Sequence, residues 1–361
     1  MTTSDHYRMH RLALLPLVAE QPQHVFERVG SAFPPAKEEQ FLTFILQQGL
    51  GPLWHEALKE CEPPLFSTNF RETLKAARLK DTARYLRQFH TIKKVDDLFR
   101  AESMSYAVFK GAHIRELVYS VPAVRPACDI DILISKDDQE TAIKALVSTG
   151  YTFRPLAENI SHEATLTDGH VSIDLHWDIM RPGRTRKDMT DELLAARKEF
   201  AGYWGLNDEA TLFIMLVHPV ITKYLNSPNA SLMRMVDLAY WIEERQPDWV
   251  KVYSLLKQTG LCTAAWTMLE WLKTVSGIDP PPSFMEKTDP GPFKSRYLRH
   301  WIRKDYSTRF FNNSTIIKVA FTLPLHDKVS DAMRAIRSLA YVKQSAARKT
   351  EVLKRSSGLK S

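Results

Sequence analysis

Asp129-Ile130-Asp131-Ile132-Leu133-Ile134 and Val171-Ser172-Ile173-Asp174-Leu175-His176-Trp177-Asp178 are the two stretches that decide how this chain folds. Both alternate with a period of two, the pattern of a strand that turns one face to a core. In the first, Ile130, Ile132 and Ile134 alternate with Asp129, Asp131 and Leu133. The two carboxylates, two residues apart, therefore point to the same side, about 7 Å from each other along the chain. In the second, Ile173, Leu175 and Trp177 face the core, while Ser172, Asp174, His176 and Asp178 line what reads as an open side. Acids in a row repel one another unless a cation joins them. Magnesium suits such a site, because it takes a few carboxylates and completes its shell with phosphate oxygens and water. Paired ions roughly 3.5–4 Å apart are gripped by carboxylates spaced in this way. Asp-x-Asp alone is a common sequence and polar residues on a strand's open face are ordinary, so the surrounding elements must carry the specificity.

Working outward, Tyr106-Ala107-Val108-Phe109 reads as a short strand, followed by Lys110-Gly111-Ala112 and a helical stretch to Tyr119. Pro122 and Pro126 mark a loop that holds Arg125. After the acidic pair, Ser135 is placed to cap a helix over 136–149 that Gly150 stops. Tyr151 to Phe153 and Thr165-Leu166 suggest further short strands. Upstream, apolar spacing from Thr68 to about Glu102 predicts one long amphipathic helix. The reading is helical again from about residue 190 to the end, over 208–225, 229–245, 249–259, 261–276 and 315–343. Residues 344–361 offer almost nothing to bury and read as frayed or disordered. The expected plan is a helical part over 1–102 and an α/β core with a small mixed sheet over 103–182. A helical C-terminal domain over 183–280 follows, then a helical extension over 281–343 and a basic tail over 344–361.

The bulk composition permits this plan. With 361 residues, 44% hydrophobic and 25% charged, the chain has the composition of an ordinary globular protein of two or three domains. Its three cysteines, Cys61, Cys128 and Cys262, stand far apart with no Cys/His cluster. That excludes a disulfide framework and a structural zinc site and fits a reducing cytoplasm. Leu12-Ala13-Leu14-Leu15 ends at Pro16, too short for a secretory signal. No apolar run approaches the length of a membrane span. Residues 328–361 hold nine Lys or Arg against two Asp or Glu, so the net charge of +7 belongs to that end alone and the other 327 residues balance at 40 and 40. This end offers a basic surface to nucleic acid or an anionic membrane, although a solvated terminus is the favoured reading.

The order strand, Phe109-Lys110-Gly111-Ala112, helix, loop with Arg125, Asp129-x-Asp131, helix ending at Gly150-Tyr151, then Ile173-Asp174-Leu175-His176-Trp177 resembles the uncharacterised bacterial nucleotidyltransferase family of the polymerase β-like superfamily. Leu50-Gly51-Pro52-Leu53, the helix bearing His218, and Asp237 in Met235-Val236-Asp237-Leu238-Ala239 also fit its pattern, so the likeness spans about 40–275. It implies an NTP donor, two Mg2+ ions (with Mn2+ as the alternative) and an acceptor hydroxyl that attacks the α-phosphorus. Carried over by position, Asp129 and Asp131 would bind both ions, and Asp174 the ion that activates the acceptor. Gly111 would let the backbone approach the phosphates, with Lys110 and Arg125 as nucleotide-binding cations. His176 and Asp178 are accessory candidates. His176 is placed to orient a carboxylate, to contact the acceptor, or simply to be satisfied by the sheet. Cys128 stands where the family commonly has glycine and reads as a small buried residue.

Three other functions stay open at this point, one of them an adaptor that uses the helical parts and the basic tail and has no need of the acids. A glycosyltransferase also uses Asp-x-Asp against a nucleotide sugar, but needs neither Asp174 on a second strand nor the Lys110-Gly111 turn. A non-catalytic protein on a degenerate fold would have no use for three aligned acids. No P-loop, GxGxxG, HExxH or GxSxG sequence competes. The acceptor has no signature in the chain.

Overall fold

A computed structural model describes residues 7–19, 22–59, 61, 65–154, 160–200, 202–221, 232–310 and 312–356. The chain enters through helices α1 (Arg8–Val18), α2 (Pro22–Ala32), α3 (Pro35–Gln47) and α4 (Gly51–Leu58). Next comes α5 (Thr68–Ala101), a helix of 34 residues and so about 50 Å long. The Ser67 hydroxyl accepts from the Phe70 amide at 3.3 Å and starts this helix.

The α/β part then follows as β1 (Tyr106–Phe109), α6 (Gly111–Val118), β2 (Ile130–Ile134), α7 (Gln139–Ser148), β3 (Thr152–Arg154), β4 (Glu163–Thr167) and β5 (Ser172–His176). Beyond α8 (Thr190–Ala195), a hairpin of β6 (Lys198–Phe200) and β7 (Tyr203–Gly205) returns to the sheet. Among the described residues the sheet has seven strands in the order β3-β4-β5-β2-β1-β7-β6. It is mixed: β2 runs parallel to β5 and β1 parallel to β7, while the other pairings are antiparallel.

The β6–β7 hairpin corrects the expectation of an all-helical chain after residue 190. Each of its strands is three residues long, too short to show a period, and it turns at Gly202 with φ +91°. Gly205 is needed there, because a Cβ would collide with the His113 ring.

Alternation along the strands sends side chains into two apolar clusters. Tyr106, Val108, Ile130, Ile132, Ile134, Ile173, Leu175 and Trp177 pack on α5 through Ile92, Val95 and Phe99, and on α7 through Ala142, Ile143 and Leu146. On the opposite face, Ala107, Phe109 and Leu133 join a larger cluster. It also takes in α1 to α4, α9 (Asp208–Ile221), α10 (Met233–Glu244), α11 (Trp249–Thr259) and α12 (Cys262–Ser276), then α13 (Pro282–Thr288) and α14 (Pro292–Arg303). The acid-bearing face is thus covered by helices, not open as its alternation suggested. Helices from before and after the sheet share that one core, and between them and the sheet lies the cleft described below.

Past the short helices α15 (Tyr306–Arg309) and α16 (Ser314–Ile317) the chain widens into a single π-helical stretch, Lys318–Thr322. It ends in α17 (Val329–Ser356). The helix continues through residues expected to be disordered, and Ala346 and Leu353 are buried in the sheet-side cluster. Two apolar side chains seven residues apart supply the contact that composition alone concealed. Residues 357–361 lie outside the described part. Among the described residues no helix is long and apolar enough to cross a membrane.

Candidate active site

Asp131 and Asp174 are register partners on the parallel neighbours β2 and β5, so both carboxylates leave the sheet on the same face. His176 lies one pleat further along β5, on the same side. Its Nε2 is 2.9 Å from Asp131 Oδ1 and its Nδ1 is 3.2 Å from Glu163 Oε2. Glu163 on β4 is the direct register partner of His176. Thr165, opposite Asp174 on β4, donates its hydroxyl to Asp174 Oδ1 at 2.7 Å. Asp131, Asp174 and His176 each offer a ligand atom within 4.8 Å of the others. The Asp131 and Asp174 carboxylates are donors that a divalent metal ion can take, with the His176 imidazole either a third ligand or the partner that orients Asp131.

Lys110 enters from the other side. Phe109, the last residue of β1, is the register partner of Asp131, and the next residue carries its ammonium over the acid. Lys110 Nζ is 2.6 Å from Asp131 Oδ1 and 3.2 Å from His176 Nε2. Its backbone has φ 56° and ψ −140°, a conformation that ordinarily selects glycine. Holding a lysine there costs about 1–3 kcal/mol, which the surrounding contacts must offset. Burial alone would raise the Asp131 pKa, but the Lys110 charge and the hydrogen bonds from His176 and Lys110 outweigh it. The net effect holds Asp131 well below the usual carboxylate range.

Gly111 begins α6 directly after this turn, and no side chain caps that helix end. A Cβ at Gly111 would collide with the Arg125 guanidinium, so the glycine admits a close approach. Arg125 itself is committed elsewhere. Its Nη2 donates to Asp237 Oδ2 at 2.6 Å and its Nε to Asp237 Oδ1 at 3.1 Å, while Nη1 donates to the Pro126 carbonyl at 2.8 Å. The Tyr119 hydroxyl donates to the same Asp237 Oδ1 at 2.7 Å. Arg125 therefore ties the loop before β2 to α10.

These residues open onto a cleft of about 370 Å³ between the sheet and the helices. Asp129 lines it but stands outside the convergent trio of Asp131, Asp174 and His176. Cys128, expected to be buried, is exposed and also lines the cleft, because the loop before β2 passes along its rim. Asp178 does not line the cleft: its carboxylate accepts from the Met180 amide at 3.2 Å and stands 3.8 Å from Lys136. Burial raises its pKa against that amide's pull. His218 on α9 and Arg234 on α10 line the helical wall.

Several contributors escaped sequence reading. Glu163 and Thr165 were detectable only as polar residues alternating through β4. Gln88, on α5, donates to the carbonyls of Ala127 at 3.1 Å and Asp129 at 3.5 Å, and accepts from Arg115 Nη1 at 2.7 Å. It fixes the loop that delivers Asp129. Nothing within the charge-rich α5 sequence singles it out.

This arrangement of a mixed sheet, an acid pair on adjacent parallel strands and a Lys-Gly turn before a helix is that of a nucleotidyltransferase-like α/β fold. The chain belongs to the family described as uncharacterised nucleotidyltransferase, whose model matches residues 34–276. No curated protein matches the chain.

Proposed function

We propose that this protein transfers a nucleoside monophosphate from a nucleoside triphosphate to a hydroxyl-bearing acceptor, with Mg2+ held by Asp131 and Asp174 and assisted by Asp129. The observation that carries this reading is the side-by-side register of Asp131 and Asp174 at the head of a cleft, next to the Lys110-Gly111 turn. Bound there, divalent ions would offset the phosphate charge and acidify the attacking hydroxyl. The chain's own residues do the rest. His176, braced by Glu163, holds Asp131 in place from behind, as an outer partner of a metal ligand does. Thr165 orients Asp174, which takes the acceptor's proton. The acceptor oxygen bonds to the α-phosphorus while the bond to the β-phosphate oxygen breaks, and pyrophosphate leaves with that electron pair. Lys110 follows the negative charge from Asp131 to the phosphates, and the uncapped first turn of α6 receives them.

Calorimetric titration of each of the four NTPs and UDP-glucose, with and without Mg2+, tests the reading. Metal-dependent binding of at least one NTP, lost in Asp131→Asn, is the expected result. Preference for UDP-glucose would favour a nucleotide-sugar transferase instead, and no binding of any of the five would overturn the nucleotide site.

A further inference from the structure

Among the described residues three cations line the cleft, and two of them already have anions. Lys110 pairs with Asp131, and Arg125 pairs with Asp237 through two nitrogens. Arg234 is the third, on α10 one turn before Asp237. It makes no hydrogen bond or ion pair among the described residues, and the adjoining residues 222–231 contain no Asp or Glu. The acid nearest it, Asp237, already accepts from Arg125 and Tyr119, so the half-buried guanidinium faces the cleft with its desolvation only partly offset.

The position of Arg234 indicates which anion it awaits. Asp237 grips Arg125, Arg125 abuts Gly111, and Gly111 opens the uncapped N-terminus of α6. Arg234 therefore sits on the helical wall near the Gly111 turn, in the cleft that Asp131 and Asp174, the carboxylates that would hold the metal, also line. A triphosphate laid between those carboxylates and Arg234 would extend its tail over α6 toward α10. Resting on the nucleotidyltransferase reading above, we propose that Arg234 receives the terminal phosphate of the nucleoside triphosphate. The planar fork of arginine matches two phosphate oxygens at once, which a lysine cannot do. Burial and the neighbouring Arg125 charge lower the Arg234 pKa and outweigh the raising effect of Asp237.

Inorganic tripolyphosphate is the direct probe, because it carries the phosphate chain without a base. Its binding with Mg2+ is measured by calorimetry on the wild type, Arg234→Met and Arg234→Lys, beside the NTP that binds best and its monophosphate. Arg234→Met should weaken tripolyphosphate and the NTP by about 10- to 100-fold, the worth of a hydrogen bond to a charged group. The monophosphate should bind as before, and Arg234→Lys should fall between wild type and Met. Equal binding of tripolyphosphate by wild type and Arg234→Met overturns the role of Arg234 while leaving the nucleotide site intact. An equal loss of monophosphate binding in Arg234→Met places the residue away from the terminal phosphate and also overturns it. A wild type that binds neither NTP nor tripolyphosphate defeats the underlying reading instead. Thermal melts of the three proteins separate lost binding from lost folding, and the lysine variant keeps the test valid if the methionine variant is unstable.

Discussion

Lys110 Nζ lies 2.6 Å from Asp131 Oδ1, and it does so from a backbone conformation, φ 56°, that favours glycine. Electrostatics and strain therefore oppose each other at one residue. Lys110→Gly and Lys110→Ala both remove the ammonium, but only glycine relieves the backbone. Lys110→Gly should be more stable than Lys110→Ala by about 1 kcal/mol in urea unfolding. Both should weaken NTP binding, and both should tighten Mn2+ binding to the protein alone, since the ion no longer competes with a resident cation. Mn2+ affinity unchanged by either substitution would show that Lys110 and the metal do not share Asp131.

The Arg125–Asp237 pair predicts a different pattern. Asp237→Asn leaves the Arg125 guanidinium, whose pKa the acid raises against burial, without its counter-charge. Removing one partner of a buried pair costs about 3–5 kcal/mol, whereas an apolar replacement of both costs less. Chemical denaturation of Asp237→Asn, Arg125→Met and the Arg125→Met/Asp237→Leu double variant should therefore be non-additive, with the double variant more stable than the sum of its parts. Additive losses would mean the two residues stabilise the fold separately.

Gln88 makes no contact with the cleft, yet it holds the carbonyls of Ala127 and Asp129. Gln88→Leu should lower metal-dependent NTP affinity several-fold and cost about 1–3 kcal/mol, because it strands a buried carbonyl and the Arg115 donor. Gln88→Glu keeps the acceptor for Arg115 and loses only the amide donor, so it should retain more stability than Gln88→Leu but lose similar affinity. NTP binding at the wild-type level in both variants would remove Gln88 from the machinery of the site.

Acid should destabilise the fold through a histidine outside the site. Burial lowers the His113 pKa from 6.5 to about 4, against the Leu206 carbonyl and Asp208, which raise it, while the Arg245 charge adds to the lowering. The ring must stay neutral in the folded state, so the unfolded chain binds a proton first as pH falls. Stability is fully present above pH 6.5 and is lost on the way down to about pH 4. Between pH 7 and pH 5 the loss is roughly 2 kcal/mol, by the conversion of about 1.4 kcal/mol per pKa unit. His326, lowered to about 4 chiefly by burial, acts in the same direction. Urea midpoints at pH 7 and pH 5 check this, and His113→Asn should narrow the gap between them. An equal gap in that variant would assign the acid sensitivity elsewhere.

The parts of this molecule readable from sequence are those written in a repeating pattern. Ile130, Ile132 and Ile134 on one strand, with Ile173, Leu175 and Trp177 on another, reveal two half-faces of a sheet and hence where their acids point. The same pattern is silent about what covers the opposite face, so His176 and Asp178 read as lying on an open side when both are buried. It is silent, too, about strands of three residues such as Lys198–Phe200, whose pairing is decided by the neighbour and not by their own composition. Arg125 illustrates a third limit. Its place in the loop was legible, but its anion, Asp237, is 112 residues away and reaches it only through the packing of α10. Arg234 carries no local signature, because a lone arginine on a helix gains meaning only from the cleft it faces.

The most direct test of the site is Mn2+ binding measured by electron paramagnetic resonance, with a non-hydrolysable NTP analogue present. Wild-type protein should retain bound Mn2+ only when the analogue is added. The Asp131→Asn/Asp174→Asn variant should lose it while keeping a wild-type circular dichroism spectrum. Undiminished, analogue-dependent Mn2+ binding by a folded Asp131→Asn/Asp174→Asn protein would contradict the assignment of these two strand residues as the metal ligands.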